Sequence, residues 1–430
     1  MSPDAEILDE AASLPREAAE TIEASPAIIG YFLLLFLASG LGVPSGIAGI
    51  PLSYILKDNL HLRPVDLALF AAIANTPTYF AFLFGFLRDR FRPPVMGDRA
   101  YLLIGALIAI ASYLYLAVAP INYFSLLHVC LIVVVAYLII GAGAQALMTG
   151  VAQQHLMTGR LSVVAGLATY VPLVLSALLG GWLIAHVAPR VTFTVAAFVT
   201  AMIAAQAFWP QRAVIEFERL PTEAETGKRA AWRLARHRPI WPAAAIFFLY
   251  NFSPGWQTPM FYHLTETVRI SSLLYGIFTA VQWSFFIPSA MLYAPLCRRF
   301  TLTSLLWSGT VIAILQGPIM FLAQGPASAI GVAVLFGLFG GFPTTAYVDL
   351  IMRSCPKGLE GTAMMLSVTT SLAIASNSSN LLGSWIYLRG GFASAVIITT
   401  LASLAILPML WWVPGSITST REGEAQAFGT

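Results

Sequence analysis

Residues 85–103 read GFLRDRFRPPVMGDRAYLL, and this charged stretch stands between two long apolar runs. The contrast is informative because 58% of the 430 residues are hydrophobic and only 10% are charged. Soluble domains carry about 25% charged residues. The chain has too few charges to coat a soluble globule, so we predict a membrane protein in a lipid bilayer. The same shortage excludes a soluble enzyme, a nucleic-acid-binding protein and a disordered scaffold.

Further apolar runs lie on both sides of this stretch and predict an all-α membrane protein with twelve transmembrane helices. A helix needs about 20 apolar residues to cross the hydrocarbon core. The runs, called spans 1 to 12 below, cover roughly 27–56, 66–87, 99–119, 122–148, 161–186, 190–209, 239–262, 271–295, 302–323, 327–351, 361–387 and 392–413.

The basic residues predict the orientation of these spans. With both termini in the cytoplasm, only five of the 23 Lys and Arg residues lie in outer loops. This agrees with the excess of basic residues that membrane proteins carry on the cytoplasmic side. The five are Lys57, Arg63, Arg190, Arg269 and Arg389. The predicted segments are an acidic cytoplasmic tail (1–25), a six-helix bundle (26–210), a basic cytoplasmic linker (211–238), a second six-helix bundle (239–414) and a cytoplasmic tail (415–430).

The two predicted bundles repeat each other weakly at an offset of about 208 residues. The matched pairs at the ends of spans 1 and 7 are Pro51 and Pro259, Tyr54 and Tyr262, Leu56 and Leu264, and Asp58 and Glu266. At an offset of about 209, Arg90 matches Arg299 after spans 2 and 8. Two pseudo-symmetric six-helix halves of this kind resemble the major facilitator fold, in which substrate lies near the midplane between the halves.

Spans 1 and 7 are also interrupted by glycine and proline at matching places. Span 1 contains Gly40, Gly42, Pro44, Gly46, Gly49 and Pro51, and span 7 contains Pro254, Gly255 and Pro259. Broken helices at matching places in two halves point to a transporter binding site. The alternative is close helix packing, which small residues permit.

The opening stretch resembles the Gly-x-x-x-Asp-Arg signature between helices 2 and 3 of major facilitator transporters. Gly85, Asp89, Arg90 and Arg99 carry the resemblance. An acid at this helix end can pair with arginines and with a neighbouring helix terminus while the cytoplasmic side is closed. We therefore predict a gate formed by these residues, with partners near Arg298 and Arg299 in the second half.

Two other segments resemble the folate–biopterin transporter family. Residues 53–64 read SYILKDNLHLRP, and residues 355–362 read CPKGLEGT before an asparagine, Asn377. The resemblance implies proton-linked movement of a folate, a pterin or a related organic anion.

The predicted central site is polar but uncharged. Its candidates are Asn75, Thr76, Tyr79, Gln145, Asn251, Trp256, Gln257, Gln282, Trp283, Asn377 and Asn380. Amides offer paired donors and acceptors, and aromatic faces suit a ring. The set favours a flat heterocycle or a sugar over a strongly anionic substrate, although each residue alone is typical of contacts between helices.

Asp349 is the one acid that falls clearly inside a span, near the cytoplasmic end of span 10. An ionisable group in lipid is costly and is therefore a candidate for proton coupling. The alternative is a structural pair with Arg353, four residues further along the same helix face. The chain shows no pattern for a metal, a nucleotide or another cofactor.

These features predict a secondary active transporter in the bacterial inner membrane, which moves a small organic solute by alternating access and is coupled to protons. Two alternatives stay open. One is a transporter of the same superfamily for a sugar, a muropeptide or a drug. The other is a membrane assembly or pigment-delivery factor that has the same fold and transports nothing.

Overall fold

The computed structural model describes residues 26–62, 64–91, 93, 96–209, 211–219 and 227–424. The predicted acidic tail over 1–25 lies outside the described residues, and so do residues 220–226 of the linker and 425–430 of the second tail. Every regular element in the described ranges is a helix.

The first six spans form the first half of the molecule. Span 1 consists of Pro26–Gly42, Gly49–Tyr54 and a π-helical turn, Ile55–Asn59. Span 2 consists of Pro64–Ala74, a 3₁₀ turn over Thr76–Phe80, and Ala81–Arg90. Spans 3 to 6 are Arg99–Val118, Tyr123–Gln154, Thr158–His186 and Pro189–Phe208. Span 4 begins with a capping box, because Asn122 and Ser125 each accept the other's backbone N–H through their side chains.

The second half contains spans 7 to 12. Span 7 consists of Ile240–Asn251, Gln257–Tyr262 and a π-helical turn, His263–Thr267. Spans 8 to 10 are Ser272–Arg299, Leu302–Ile319 and Pro326–Ser354. Span 11 begins with Glu360–Ser367 and π-helical Val368–Ala375, and Ser376–Leu404 continues into span 12, which ends with Ile406–Leu410. Gly391, at φ +72°, bends this helix between the two spans.

The helix lengths agree with a membrane protein. In the described part of the chain, nine helices are long and apolar enough to cross a membrane. One of them, Glu360–Leu410, has 51 residues, which is enough to cross twice. The shorter apolar helices Pro26–Gly42 and Ile240–Asn251 belong to the two broken spans. The all-α membrane fold is confirmed, and the arrangement is consistent with twelve spans.

The two halves repeat each other in backbone detail at the ends of spans 1 and 7. The π-helical turns Ile55–Asn59 and His263–Thr267 occupy matching places in the repeat. Each turn is followed by a non-glycine residue with positive φ, His61 at 52° and Arg269 at 59°. Because such residues are uncommon, their recurrence at the same offset agrees with the duplication seen in the sequence.

The halves meet along two seams. Span 2 packs against span 11, and span 5 packs against spans 8 and 10. The loop after span 2, the linker helices Arg212–Arg219 and Gly227–Arg236, and residues 418–424 lie on one side of the molecule, which we call the linker face. The opposite face carries the loops after spans 1 and 7.

The linker is held against the membrane-spanning core. In its first helix, Val214 and Phe217 are buried against span 4, whereas the Arg212 side chain is 95% exposed. A helix with one apolar and one charged side fits the edge of a bilayer.

Candidate gate and central site

Asp89, at the end of span 2, joins the two halves on the linker face. Its buried carboxylate accepts hydrogen bonds from the backbone N–H groups of Gly361, at 3.2 Å, and Thr362, at 2.6 Å. These residues belong to the first turn of span 11, whose N–H groups have no partner within the helix. A carboxylate of the first half therefore caps a helix of the second half, where the helix dipole favours negative charge.

Arg88 ties this contact to the rest of the charged stretch. Its guanidinium is fully buried and lies 2.6 Å from Asp89 through Nη1 and 2.6 Å from Asp98 Oδ1 through Nε, with Nη2 bonded to Asp98 Oδ2. Nη1 also lies 3.5 Å from a carboxylate oxygen of Glu360. Buried charges are tolerated when each one has partners of this kind, and removal of one partner is costly. We call Arg88, Asp89, Asp98 and Glu360 the gate cluster.

Gly85 lets spans 2 and 11 approach closely enough for this contact. A Cβ atom at Gly85 would lie 2.4 Å from the carbonyl oxygen of Gly361 and 2.9 Å from Cα of Thr362. Both atoms belong to the backbone of the other half, so no rotamer change can relieve the overlap.

Further contacts close the linker face near spans 4 and 10. Gln153 Nε2 donates to the carbonyl oxygens of Met352, at 2.7 Å, and Cys355, at 3.0 Å. Arg353 Nε donates to Thr158 Oγ1 at 3.1 Å. The two halves are therefore fastened to each other at several points on this face.

The four predicted gate residues of the first half lie in different surroundings in the structure. Asp89 and Gly85 lie at the contact between the halves, as described above. Arg90 is exposed, because a residue two positions from Arg88 on a helix faces another direction. Arg99 binds Glu218 of the linker through Nε at 2.6 Å, within the first half.

The expected pairing of Asp89 with Arg298 and Arg299 is not found among the described residues. Both arginines are exposed at the end of span 8, which packs against span 5, whereas span 2 packs against span 11. Sequence reasoning missed Arg88 and Glu360 as gate residues. Both lay within the quoted segments, but nothing local showed which charges would be buried.

Tyr79 and Asn377 meet near the middle of the molecule. Asn377 Nδ2 donates to the Tyr79 hydroxyl at 2.7 Å, which links span 2 to span 11, and both side chains are exposed. Tyr79 precedes Arg88 by nine residues, or about 14 Å along a helix, roughly half of the hydrocarbon thickness. On the other seam, the Tyr170 ring stacks on Trp283 with centroids 5.6 Å apart.

Several of the other central candidates make contacts within the second half. Asn380 accepts the backbone N–H of Thr258 at 3.0 Å, and Thr399 accepts that of Gly255 at 2.7 Å, so both satisfy donors freed by the break in span 7. Trp256 is covered by Phe336, with ring centroids 3.6 Å apart. These side chains support the broken helix.

Two glutamines among the candidates lie in different surroundings. Gln282 is buried, and Gln257 donates to Ser376 at 2.7 Å.

The remaining candidates lie mainly in the broken or central parts of the spans. Asn75, Thr76 and Asn251 each donate to a backbone carbonyl four residues earlier in their own helix. Gln145 differs, since its buried Oε1 has no hydrogen-bond partner among the described residues. A buried polar atom without a partner is unusual and is available to a ligand or to water.

The profile described as Major Facilitator Superfamily matches residues 27–376. The chain belongs to the major facilitator superfamily. Membership identifies a transporter family and implies that the chain is not an enzyme.

Individual members of the superfamily are only distantly similar. A folate–biopterin transporter from Synechocystis is 21% identical over 405 residues, which cover 88% of this chain and 80% of that protein. The crystal structure of the major facilitator transporter FucP in its outward conformation has a TM-score of 0.68 at 13% identity, covering 90% of this chain and 98% of FucP. The crystal structure of the human organic anion transporter MFSD10 has a TM-score of 0.67 at 14% identity, covering 89% of this chain and 98% of MFSD10.

Asp349 of this superfamily member is fully buried between spans 10 and 8. Its Oδ1 lies 3.0 Å from Arg353 Nε, and its Oδ2 accepts a hydrogen bond from the Tyr293 hydroxyl at 2.8 Å. The pair with Arg353 is the structural alternative raised by the sequence. A proton-coupling role for Asp349 stays a prediction.

We expect acid to weaken the docking of the linker through His237. Its Nε2 lies 3.0 Å from the carbonyl oxygen of Ser354 and donates to it. Burial lowers the pKa of His237, the hydrogen bond to Ser354 raises it and nearby Arg233 lowers it, and the net shift is downward. Below about pH 6.5 the unfolded chain then binds more protons than the folded chain, so stability falls as the pH falls. Fluorimetric melting curves from pH 8 to pH 5 measure this slope.

The slope should become shallower in His237→Gln. Equal slopes in the wild type and in His237→Gln would contradict the assignment to His237.

Proposed function

We propose that this chain is a secondary transporter that moves a small organic solute by alternating access. The observation that carries the proposal is the cap on span 11, because Asp89 fastens the halves to each other on one face only. The hydrogen bonds that join spans 2 and 11 run from Asp89 at the linker face, through Phe82 and Thr369, to Tyr79 and Asn377 at mid-depth. Such a one-sided closure is what a single state of an alternating-access transporter requires.

The uncharged central residues support a flat polar heterocycle, such as a pterin, as the substrate. Tyr79, Asn377 and Gln145 offer an aromatic face, an amide and a free carbonyl oxygen at mid-depth. No Lys or Arg lies in the middle of any span, so the carboxylates of a folate would lack a cationic partner there. The name of the Synechocystis relative agrees with a pterin ring in the substrate. The central residues offer no partner for the carboxylates that a folate carries in addition to this ring.

The distribution of basic residues supports a cytoplasmic linker face. On that assignment both termini are cytoplasmic, and the structure represents a state closed to the cytoplasm. We also propose that the membrane is a bacterial inner membrane. Proton coupling through Asp349 belongs to the same proposal. It requires the Asp349 carboxylate to release Arg353 and to bind a proton instead during the cycle.

A ligand screen by thermal shift on the purified protein tests the proposed function. A ligand at 100 times its dissociation constant stabilises the folded state by about 2.7 kcal/mol. We expect pterins to raise the melting temperature more than folates, sugars, muropeptide fragments or drugs do, and to be taken up by proteoliposomes. If no solute binds and the protein purifies in a stoichiometric complex, the assembly or pigment-delivery role replaces the transporter.

Removal of the Asn377 amide should weaken binding of the ligand found in this screen. We expect Asn377→Ala to raise the dissociation constant roughly fivefold, the effect of one lost hydrogen bond. Isothermal titration calorimetry measures the change. Gln324→Ala is the control, because Gln324 is an exposed amide in the loop before span 10. Equal affinities in the two variants would remove Asn377 from the binding site.

A further inference from the structure

Glu422, which follows span 12, also joins the two halves. Its side chain is 1% exposed, and its Oε1 accepts hydrogen bonds from the backbone N–H of Arg160, at 2.8 Å, and from Arg160 Nε, at 3.2 Å. Arg160 is the third residue of span 5, so the carboxylate caps the N-terminal turn of this helix. The Glu422 N–H donates to the carbonyl oxygen of Cys297 at 3.1 Å, which anchors the same residue on span 8.

The repeat explains why this cap is needed. Asp89 caps span 11 on one seam, and span 5 is the corresponding helix on the other seam. The offset that matches Arg90 with Arg299 places Arg298 where the first half has Asp89. Arg298 is exposed and has the wrong charge for a helix N-terminus. The second half therefore lacks an acid at the position that makes the gate in the first half.

We propose that the C-terminal tail supplies this missing acid, with Glu422 capping span 5 as Asp89 caps span 11. The tail thereby acts as a latch that stabilises the state closed at the linker face. This inference rests on the alternating access of the proposed function. It adds a second gate contact, made by a segment outside the twelve spans.

Neighbouring tail residues hold the latch in place on both halves. Arg353 Nη1 donates to the carbonyl oxygen of Thr420 at 3.1 Å, in the second half. The N–H of Gly423 donates to the carbonyl oxygen of Leu156 at 2.9 Å, in the first half. Opening of the linker face must break the second contact and the cap on span 5 together.

Glu218 shows that an acid after the last span of a half does not by itself make a latch. It follows span 6 and caps the start of span 3, where its Oε1 accepts the N–H of Arg99 at 3.0 Å. Both residues belong to the first half and its linker. Glu422, which follows span 12, instead caps a helix of the other half.

Maleimide labelling of the native cysteines tests the latch in the detergent-purified full chain. Cys355 is buried on the linker face, where its carbonyl accepts from Gln153, and its described contacts do not include Glu422. It should become accessible when this face opens. We expect Glu422→Gln to speed labelling of Cys355 roughly tenfold, in line with the loss of a charge-assisted hydrogen bond. Peptide mass spectrometry assigns the label to each cysteine.

Glu424→Gln is the matched control, because Glu424 accepts from the N–H of Arg421 within the tail. Cys130, buried among spans of the first half, reports unfolding. Faster labelling of Cys355 without a rise at Cys130, in Glu422→Gln alone, supports the latch. Cys297 is not a reporter, because its thiol donates to Glu422 Oε2 at 2.9 Å and the substitution changes that contact directly. An unchanged rate for Cys355, or an equal rise at Cys130, overturns it. The labelling needs no substrate, so its failure is distinguishable from a failure of uptake.

Discussion

Asp89→Asn should abolish most transport while the protein still folds and reaches the membrane. The substitution keeps the shape of the side chain but removes the charge that faces the first turn of span 11. A hydrogen bond to a charged group contributes about 1.5–3 kcal/mol. We expect the state closed at the linker face to lose about 2 kcal/mol, which is roughly a 30-fold shift in its population relative to the open state.

The measurement for Asp89→Asn is initial uptake of the ligand from the thermal-shift screen, at matched amounts of membrane protein. We expect at least a tenfold decrease in rate, since the cycle must pass through the closed state. Glu216→Gln is the control, because Glu216 is a half-exposed acid on a linker helix in a surface pair with Arg212 at 3.9 Å. Such pairs contribute little, so its uptake should stay near that of the wild type. Wild-type uptake by Asp89→Asn would remove Asp89 from the gate.

The spans and the duplication were predictable because both rest on features that are local in sequence. A run of apolar residues must cross the membrane whichever helices it packs against. The duplication is recognised from residues that match at a fixed offset, without knowing which residues are in contact. The matched π-helical turns after Tyr54 and Tyr262 show that the offset holds in backbone geometry as well. The importance of Asp89 was predictable for the same reason, because a charged residue at a helix end interacts with helix dipoles wherever the helix packs.

The partners of Asp89 were not predictable in this way, because they come from a helix about 270 residues further along the chain. Arg88 and Arg90 look alike in sequence, and only the packing of span 2 shows that Arg88 is buried. The contacts of Asn380 and Trp256 with the broken span 7 and with span 10 were also not predictable, and their role in substrate binding stays a prediction. Glu422 resembles any acid of a polar tail, and its role depends on a seam between the halves that its neighbours do not reveal.

Gly85→Ala should block closure of the linker face more completely than Asp89→Asn does. Relief of a 2.4 Å contact between the new Cβ and the Gly361 carbonyl oxygen requires spans 2 and 11 to separate. Overpacking of this kind costs about 1–3 kcal/mol. Within span 2 itself, alanine is favoured over glycine by up to about 1 kcal/mol. The cost therefore falls on the contact between the halves, and the helix that carries the substitution is stabilised.

These opposite effects distinguish a blocked gate from a damaged fold. We expect Gly85→Ala to keep a melting temperature near that of the wild type, to lose uptake, and to show longer distances between spin labels placed on the linker-face ends of the two halves. Gly331→Ala in span 10 should change none of these, because a Cβ there meets no atom within 4 Å. Gly105→Ala should instead lower the melting temperature, since its Cβ would lie 2.6 Å from the Ala136 carbonyl oxygen inside the first half. If Gly85→Ala behaved like Gly105→Ala, Gly85 would serve the packing of the bundle, and the close approach of spans 2 and 11 would not be a gate.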